Sequence, residues 1–265
     1  MSFKACWLCL VFLVARKTDI KILGCLLLAL GSLAAHAEEV SVAVAANFAT
    51  PMQKIAVLFT QDTGHTATLS MGSTGKFYAQ IKNGAPFHVL LSGDEETPLR
   101  LEKENATAPQ TRFTYAVGKL VLWSKQAGYV DAQGDVLRNG NFSHLALADP
   151  KLAPYGAAAI ETLQALGLLT KLQPRLVQGE SIGQTYQFVA SGNAQLGFVA
   201  LSQVMSNDRI TEGSAWLVPP NLYEALRQEA VILKNGKDNQ AATALMAYLK
   251  TEKARAVIRS FGYGL

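Results

Sequence analysis

Two segments of this chain carry one pattern twice. Val44-Ala45-Ala46-Asn47-Phe48 and Met71-Gly72-Ser73-Thr74-Gly75 each follow an apolar, strand-like run, and each opens a helical periodicity. A strand that feeds directly into a helix, repeated, imposes a β-α-β path: a parallel sheet with helices on its faces and short loops at the carboxyl ends of its strands. Both segments hold small residues and neutral hydrogen-bonding side chains, and neither holds a carboxylate.

The remaining sequence extends the pattern. Glu39–Ala45 reads as a buried strand. Thr50 as N-cap, Pro51 at the first helical position and Gln53 closing a capping box predict a helix start. Met52, Ile55, Ala56 and Phe59 share one face of that helix, and Gly64 stops it. Thr66–Met71 predicts a second strand, Lys76–Asn83 a helix stopped by Gly84 and Pro86, and Val89–Ser92 a third strand. Beyond Thr111, Phe113–Val117 and Leu120–Ser124 read as consecutive strands around Gly118. Leu145–Ala148, Leu176–Gln178, Leu196–Ala200 and Ala230–Leu233 are further strands. Helices are expected at about 157–166, 182–190, 241–250 and 252–261. The expected fold class is α/β with two lobes, each a mostly parallel sheet flanked by helices. Residues 38–117 with 229–265 make the first lobe and 118–228 the second. The chain then crosses between lobes twice and leaves a cleft, and ligands favour such clefts outside the carboxyl ends of parallel strands.

Residues 1–37 read as an export leader (signal peptide). An apolar core, Leu23–Leu33, follows Arg16, Lys17 and Lys21, and Ala35-His36-Ala37 supplies a small-x-small cleavage signal. A second apolar run, Ala5–Ala15, lies upstream. Neither run reaches the roughly 18–20 uninterrupted apolar residues of a membrane span. Cys6, Cys9 and Cys25 all lie in the leader, so the 228 residues after it have no disulfide, no thiolate nucleophile and no Cys-ligated metal. That length is enough to be stabilised by a core alone. The net charge of +4 is also mostly the leader's: without its four basic residues and one acidic residue, 20 basic residues face 19 acidic ones. With no long basic run, nucleic acid and anionic membrane are excluded as expected partners.

Three motifs imitate other chemistry. Gly179-Glu180-Ser181-Ile182-Gly183 matches the nucleophile elbow of hydrolases, whose chain order requires a histidine after the serine. His36, His65, His88 and His144 all precede Ser181, which reads instead as a helix cap. Gly72-Ser73-Thr74-Gly75-Lys76-Phe77 imitates a phosphate loop. Ser70 stands where its first glycine belongs and Phe77 where a Ser or Thr should follow the lysine, which argues against nucleotide binding. His65 and His144 read as surface residues beside turns and His88 as an edge residue. They share no ligand spacing, so no free-cation site is expected.

Four loops remain as candidates to converge on the cleft. Asn47, beside Ala46, offers an amide and a backbone N–H. Ser73 and Thr74 offer hydroxyls at a helix start. Tyr155, in Ala153-Pro154-Tyr155-Gly156, offers a phenol, and Ser181-Ile182 opens another helix. Helix N-termini point unpartnered N–H groups outward and favour anions. Any one of Asn47, Thr74 or Ser181 reads equally as a plain cap; four donor-bearing helix starts, two in each lobe, point to a small oxyanion. The absence of carboxylates selects further: a fully deprotonated dianion rewards donors only, whereas one that keeps a proton rewards an acceptor. Glu180 is the exception and is expected to turn away.

At these residues the chain resembles the periplasmic molybdate-binding family, the ModA-type solute receptors of ABC importers. The resemblance spans 38–265 and rests on Val44–Phe48, Gly72–Ile81, Gly84-Ala85-Pro86, Phe113–Ser124, Ala148-Asp149-Pro150, Pro154-Tyr155-Gly156 and Phe261-Gly262-Tyr263 taken together. It implies a two-lobed type II periplasmic binding protein fold that grips molybdate or tungstate. The binding positions would be Ala46 (backbone), Asn47, Ser73, Thr74, Tyr155 and Ile182 (backbone N–H). It further implies a periplasmic location, delivery to an inner-membrane permease of an ABC transporter, a monomer, no cofactor and no enzymatic activity. The chain departs from common family patterns at Thr74 (serine elsewhere), His88 (aspartate) and Ala200 (tyrosine in some members). Three other readings stay open: a receptor for another oxyanion such as sulfate, a secreted serine hydrolase using Ser181, and a structural or signalling domain that has kept the fold but lost its ligand, which His88 and Ala200 allow.

Overall fold

The computed structural model describes residues 37–207 and 209–265; the expected leader falls outside them except for Ala37. The first strand, β1 (Glu39–Ala45), shows why the chain forms layers. Val40, Val42 and Val44 are fully buried in one core, and Ala43 is fully buried in another on the opposite face. A strand covered on both faces suits a parallel arrangement with helices above and below. β1 pairs in parallel with β2 (Thr66–Gly72) and β3 (Val89–Leu91).

Between β1 and β2 the chain makes a 3-10 turn, Ala46–Phe48, that runs straight into α1 (Ala49–Thr63). The helix therefore starts two residues earlier than Thr50 as N-cap would dictate, and no side chain caps it. Pro51 is tolerated because the first four N–H groups of a helix have no intrahelical acceptor. Met52, Ile55 and Phe59 are fully buried, and Gly64 closes the helix at φ 77°. α2 (Thr74–Lys82) follows β2. α3 (Glu96–Lys103), absent from the sequence reading, follows β3, with the Asp94 carboxylate accepting from the Thr97 N–H at 2.9 Å.

The chain leaves this first sheet through β4 (Phe113–Gly118), passes Lys119 and enters the second with β5 (Leu120–Ser124). There β6 (Leu145–Ala148) leads into α4 (Pro154–Ala165), β7 (Leu176–Gly179) into α5 (Ile182–Ala190), and β8 (Leu196–Ala200) into a helical turn at Leu201–Val204. A two-stranded ribbon, β9 (Met205–Ser206) and β10 (Arg209–Ile210), precedes β11 (Ser214–Leu217). The return is β12 (Leu226–Ile232), after which α6 (Gln240–Tyr248) and α7 (Glu252–Ser260) pack on the first core.

The sheet orders are β2-β1-β3-β12-β4 and β11-β5-β8-β6-β7. Each is mixed where mostly parallel sheets were expected. β12 runs antiparallel to β3 and β4, and β5 antiparallel to β8 and β11. The crossing strands impose this, since each enters its sheet from the neighbouring one and not through a helical crossover. At the crossing itself Leu226 pairs with Gly118.

The 3-10 turn is fixed from below. Phe48 is fully buried, with its ring 4.7 Å from that of Tyr115 and 5.5 Å, edge-on, from that of Tyr263. Phe48→Ala is expected to cost about 3–5 kcal/mol of stability, read as a lowered midpoint in urea unfolding.

Candidate anion-binding site

The strand-to-helix junctions after β1, β2, β6 and β7 meet at one small cavity. Its wall includes Ala46, Asn47, Ser73, Thr74, Tyr155 and Ile182, all six of the residues singled out from sequence, and no charged residue. Its free volume is about 10 Å³, roughly the room of one water-sized sphere. A much larger depression, about 520 Å³, lies nearby, lined by Asp94, Glu95, Glu96, Glu161 and Glu224 against Arg100, Lys151 and Arg227, a net negative lining that suits an anion poorly.

Ser73 is the most telling member. It stands at the N-cap of α2, yet its side chain makes no cap bond. The residue is 4% exposed, and its Oγ is the one buried side-chain polar atom without a hydrogen-bond partner among the described residues. Such an atom carries a desolvation penalty of about 1–3 kcal/mol until something pairs with it. Thr74, beside it, has its oxygen occupied: Oγ1 accepts from the Gly93 N–H at 3.0 Å. With that lone pair engaged, the Thr74 hydroxyl proton is left to donate.

Tyr155 follows the same logic. It sits in the first turn of α4 and not ahead of it, is 1% exposed, and its phenol oxygen accepts from Gln228 Nε2 at 3.0 Å. Its own proton remains to donate. Burial pushes the Tyr155 phenol well above its ordinary pKa, with the neighbouring Tyr263 and Tyr115 adding to the shift. It therefore stays a donor across neutral and mildly alkaline pH.

Asn47 corrects the sequence reading. Its amide does not face the cavity as a free donor: Nδ2 donates to Gln228 Oε1 at 2.9 Å and to the Tyr263 hydroxyl at 3.0 Å, so both protons are engaged. Its backbone carbonyl accepts from the Tyr263 and Ser202 hydroxyls, each at 2.8 Å. Held on both sides, Asn47 fixes the 3-10 turn, and its backbone N–H, at a turn start, is what it offers the cavity. Ile182 is the first residue of α5, where N–H groups likewise lack intrahelical acceptors. Gln228, Tyr115, Tyr263 and Ser202 were all missed from sequence. They lie far apart in the chain and carry no local motif.

The decoys resolve structurally. Ser181 Oγ accepts from the Gln184 N–H at 3.2 Å while Gln184 Oε1 accepts from the Glu180 N–H at 2.7 Å, a reciprocal cap. His65 and His88 are knots in the first sheet, their Nδ1 atoms accepting from the Glu38 and Ser41 N–H groups at 3.0 and 3.1 Å. Glu180 turns to solvent and pairs with Lys76, linking the start of α5 to α2 outside the cavity. Next to that pair, the Gly75 N–H donates to the Leu152 carbonyl at 2.9 Å. A methyl on Gly75 would lie 3.0 Å from Leu152 Cα, so the two halves of the molecule touch backbone to backbone there.

Two expectations follow. Without ligand, Ser73→Ala should leave stability unchanged or slightly raised, because it removes an unpaired buried hydroxyl. Thr74→Val should cost about 1–3 kcal/mol by stranding the buried Gly93 N–H; urea midpoints of the two variants compare them directly. Second, Tyr115, Tyr155 and Tyr263 have folded-state pKa values above the ordinary 10.0, Tyr263 at about 12, with burial the main cause. The unfolded chain therefore releases protons first. Stability should be fully present below about pH 10 and fall as pH rises toward about 12, and the loss should be smaller in Tyr263→Phe.

The profile of the bacterial extracellular solute-binding protein family matches residues 40–264. The molybdate-binding protein ModA of Azotobacter vinelandii is 60% identical over 232 residues, 88% of this chain and 92% of that protein. ModA of Rhodobacter capsulatus is 51% identical, over 88% of this chain and 90% of that one. Among solved structures, the periplasmic molybdate-binding protein of Azotobacter vinelandii superposes with a TM-score of 0.83 at 44% identity, covering 85% of this chain and 99% of that one. The chain belongs to the bacterial extracellular solute-binding proteins and, within them, to the ModA family.

Proposed function

We propose that this chain captures molybdate or tungstate in the cavity between its two sheets and presents the ion to the inner-membrane permease of an ABC importer. In this reading it works in the periplasm as a monomer, without cofactor or catalytic step. The observation that carries the reading is the unpartnered Ser73 hydroxyl, buried in a wall that has donors and no charge. The relatives named molybdate-binding, at 60% and 51% identity, support the choice of ion.

Selectivity follows from proton accounting. Thr74 and Tyr155 have their oxygens filled by Gly93 and Gln228, and the helix-start N–H groups can only donate. A hydrogen phosphate would bring a proton to a wall of whose three hydroxyls only Ser73 is free to accept it, while molybdate, tungstate and sulfate bring none. Hydrogen bonds to a charged group contribute about 1.5–3 kcal/mol each. Six or so would supply on the order of 10–20 kcal/mol gross, against which stand dianion desolvation and the ordering of the two halves. Between sulfate and molybdate the discriminant is size, set by how closely the Gly75–Leu152 contact shuts the cavity.

Calorimetric titration with molybdate, tungstate, sulfate and phosphate tests the reading. Molybdate and tungstate are expected to bind tightly, phosphate not at all; sulfate binding as tight as molybdate would reassign the cargo. Ser73→Ala and Tyr155→Phe should each weaken molybdate binding by about 1.5–3 kcal/mol. A hundredfold excess of molybdate over its Kd should add about 2.7 kcal/mol of stability.

A further inference from the structure

Gln228 is fully buried at the place where the chain crosses back into the first sheet, and it touches both halves of the molecule. Its Oε1 accepts from Asn47 Nδ2 at 2.9 Å and faces the Tyr115 hydroxyl at 3.0 Å; its Nε2 donates to the Tyr155 hydroxyl at 3.0 Å. Two features of the backbone are shaped around it. The β12–β4 register shifts there: Gln228 pairs with Ala116 and Glu229 with Thr114, leaving Tyr115 as the extra residue whose hydroxyl reaches Gln228. Bulges of this kind re-aim side chains beside binding sites. Opposite lies Gly118, where a Cβ would fall 2.1 Å from the Tyr155 hydroxyl and 2.6 Å from Gln228 Nε2. Only glycine leaves room for that hydrogen bond.

We infer that Gln228 is a positioning residue for anion binding: by donating to the Tyr155 oxygen it turns the phenol proton into the cavity, and by accepting from Asn47 it locks the turn that carries the facing N–H. The inference rests on the reading of the cavity as an oxyanion site. It makes Gln228, which does not line the cavity, the group that keeps Tyr155 a donor. A carboxylate at this position would accept the phenol proton and withdraw it from the ligand; the same group protonated would restore the donor. The titratable groups around Gln228 are the phenols of Tyr115, Tyr155 and Tyr263, with Asp94 beyond Tyr115. Its two neighbours along the strand each form an ion pair, Glu229 with Arg112 and Arg227 with Glu95.

The test is molybdate titration of the wild-type chain, Gln228→Glu, Tyr155→Phe and the double variant, across about pH 5.5–9, a range in which an introduced buried carboxyl titrates. Wild type should bind with little pH dependence. Gln228→Glu should lose about ten- to a hundredfold in affinity at the alkaline end and recover as pH falls, and Tyr155→Phe should abolish that recovery. A loss in Gln228→Glu that is equal at every pH, or that adds independently to the loss in Tyr155→Phe, assigns Gln228 a merely structural role and overturns the inference. If Gln228→Glu gives no cooperative melt, Gly118→Ala replaces it. Its affinity loss should not add to that of Tyr155→Phe, and additive losses overturn the inference. A wild-type chain that gives no heat with molybdate sinks the functional reading itself, and this inference with it.

Discussion

The constraint on which the site depends is that two of the three hydroxyls in its wall, Thr74 and Tyr155, are aimed by a second hydrogen bond on the acceptor side, while the third, Ser73, is left without a partner. A hydroxyl is ambivalent: it can give a proton or take one. Thr74 loses that ambivalence to the Gly93 N–H and Tyr155 loses it to Gln228. What remains is directional, neutral and donor-only, and the backbone N–H groups of the surrounding helix starts are donor-only by nature. The polar cluster behind them, Asn47, Gln228, Tyr115, Tyr263 and Ser202, is buried and mutually satisfied. In a low-dielectric setting such a network is rigid when complete and costly when broken, so the cavity wall inherits its geometry from groups the ligand does not reach.

The layout of the fold makes that network possible. Two sheets joined by β4–β5 and by the return into β12 place Gly118 beside Leu226, and at this crossing side chains from both halves interlock. The register shift at Tyr115 and the absence of a side chain at Gly118 open the space in which Gln228 meets Tyr155. Phe48, wedged against Tyr115 and Tyr263, ties the apolar core of the first sheet to the same cluster. Packing and polar order therefore reinforce each other at the crossing.

Much of this was legible in the sequence where the signal is local. Leu145–Ala148, Ile182–Ala190 and Leu196–Ala200 carry clear apolar runs and lie where those runs put them. The junction residues stand out because strand, small residues and helix start follow one another along the chain. β12 was read as starting at Ala230 because Arg227, Gln228 and Glu229 interrupt its apolar character, yet it begins at Leu226. The alternation Leu226, Gln228, Ala230, Ile232, all buried, was the available clue. Of the two donors read at Asn47, the side-chain amide is engaged inside the fold, because its partners, Gln228 and Tyr263, are 181 and 216 residues away and leave no local sign. Ser73 and Ser181 look alike in sequence, each a serine before a helix. Only the structure separates Ser181, whose Oγ caps α5, from Ser73, whose Oγ is left bare.

A wall without charge also bears on release. An arginine in the cavity would add attraction for any anion, at long range and with little regard to its proton count. It would leave a buried unpaired charge once the ligand departed, costing several kcal/mol. Neutral donors exert little pull at a distance and act only when the halves close to hydrogen-bond range. When the halves part, water satisfies the same N–H and O–H groups at small cost. The charges that are near, Lys76 and Glu180, sit at the outer seam and neutralise each other across the two halves, where solvent screens them.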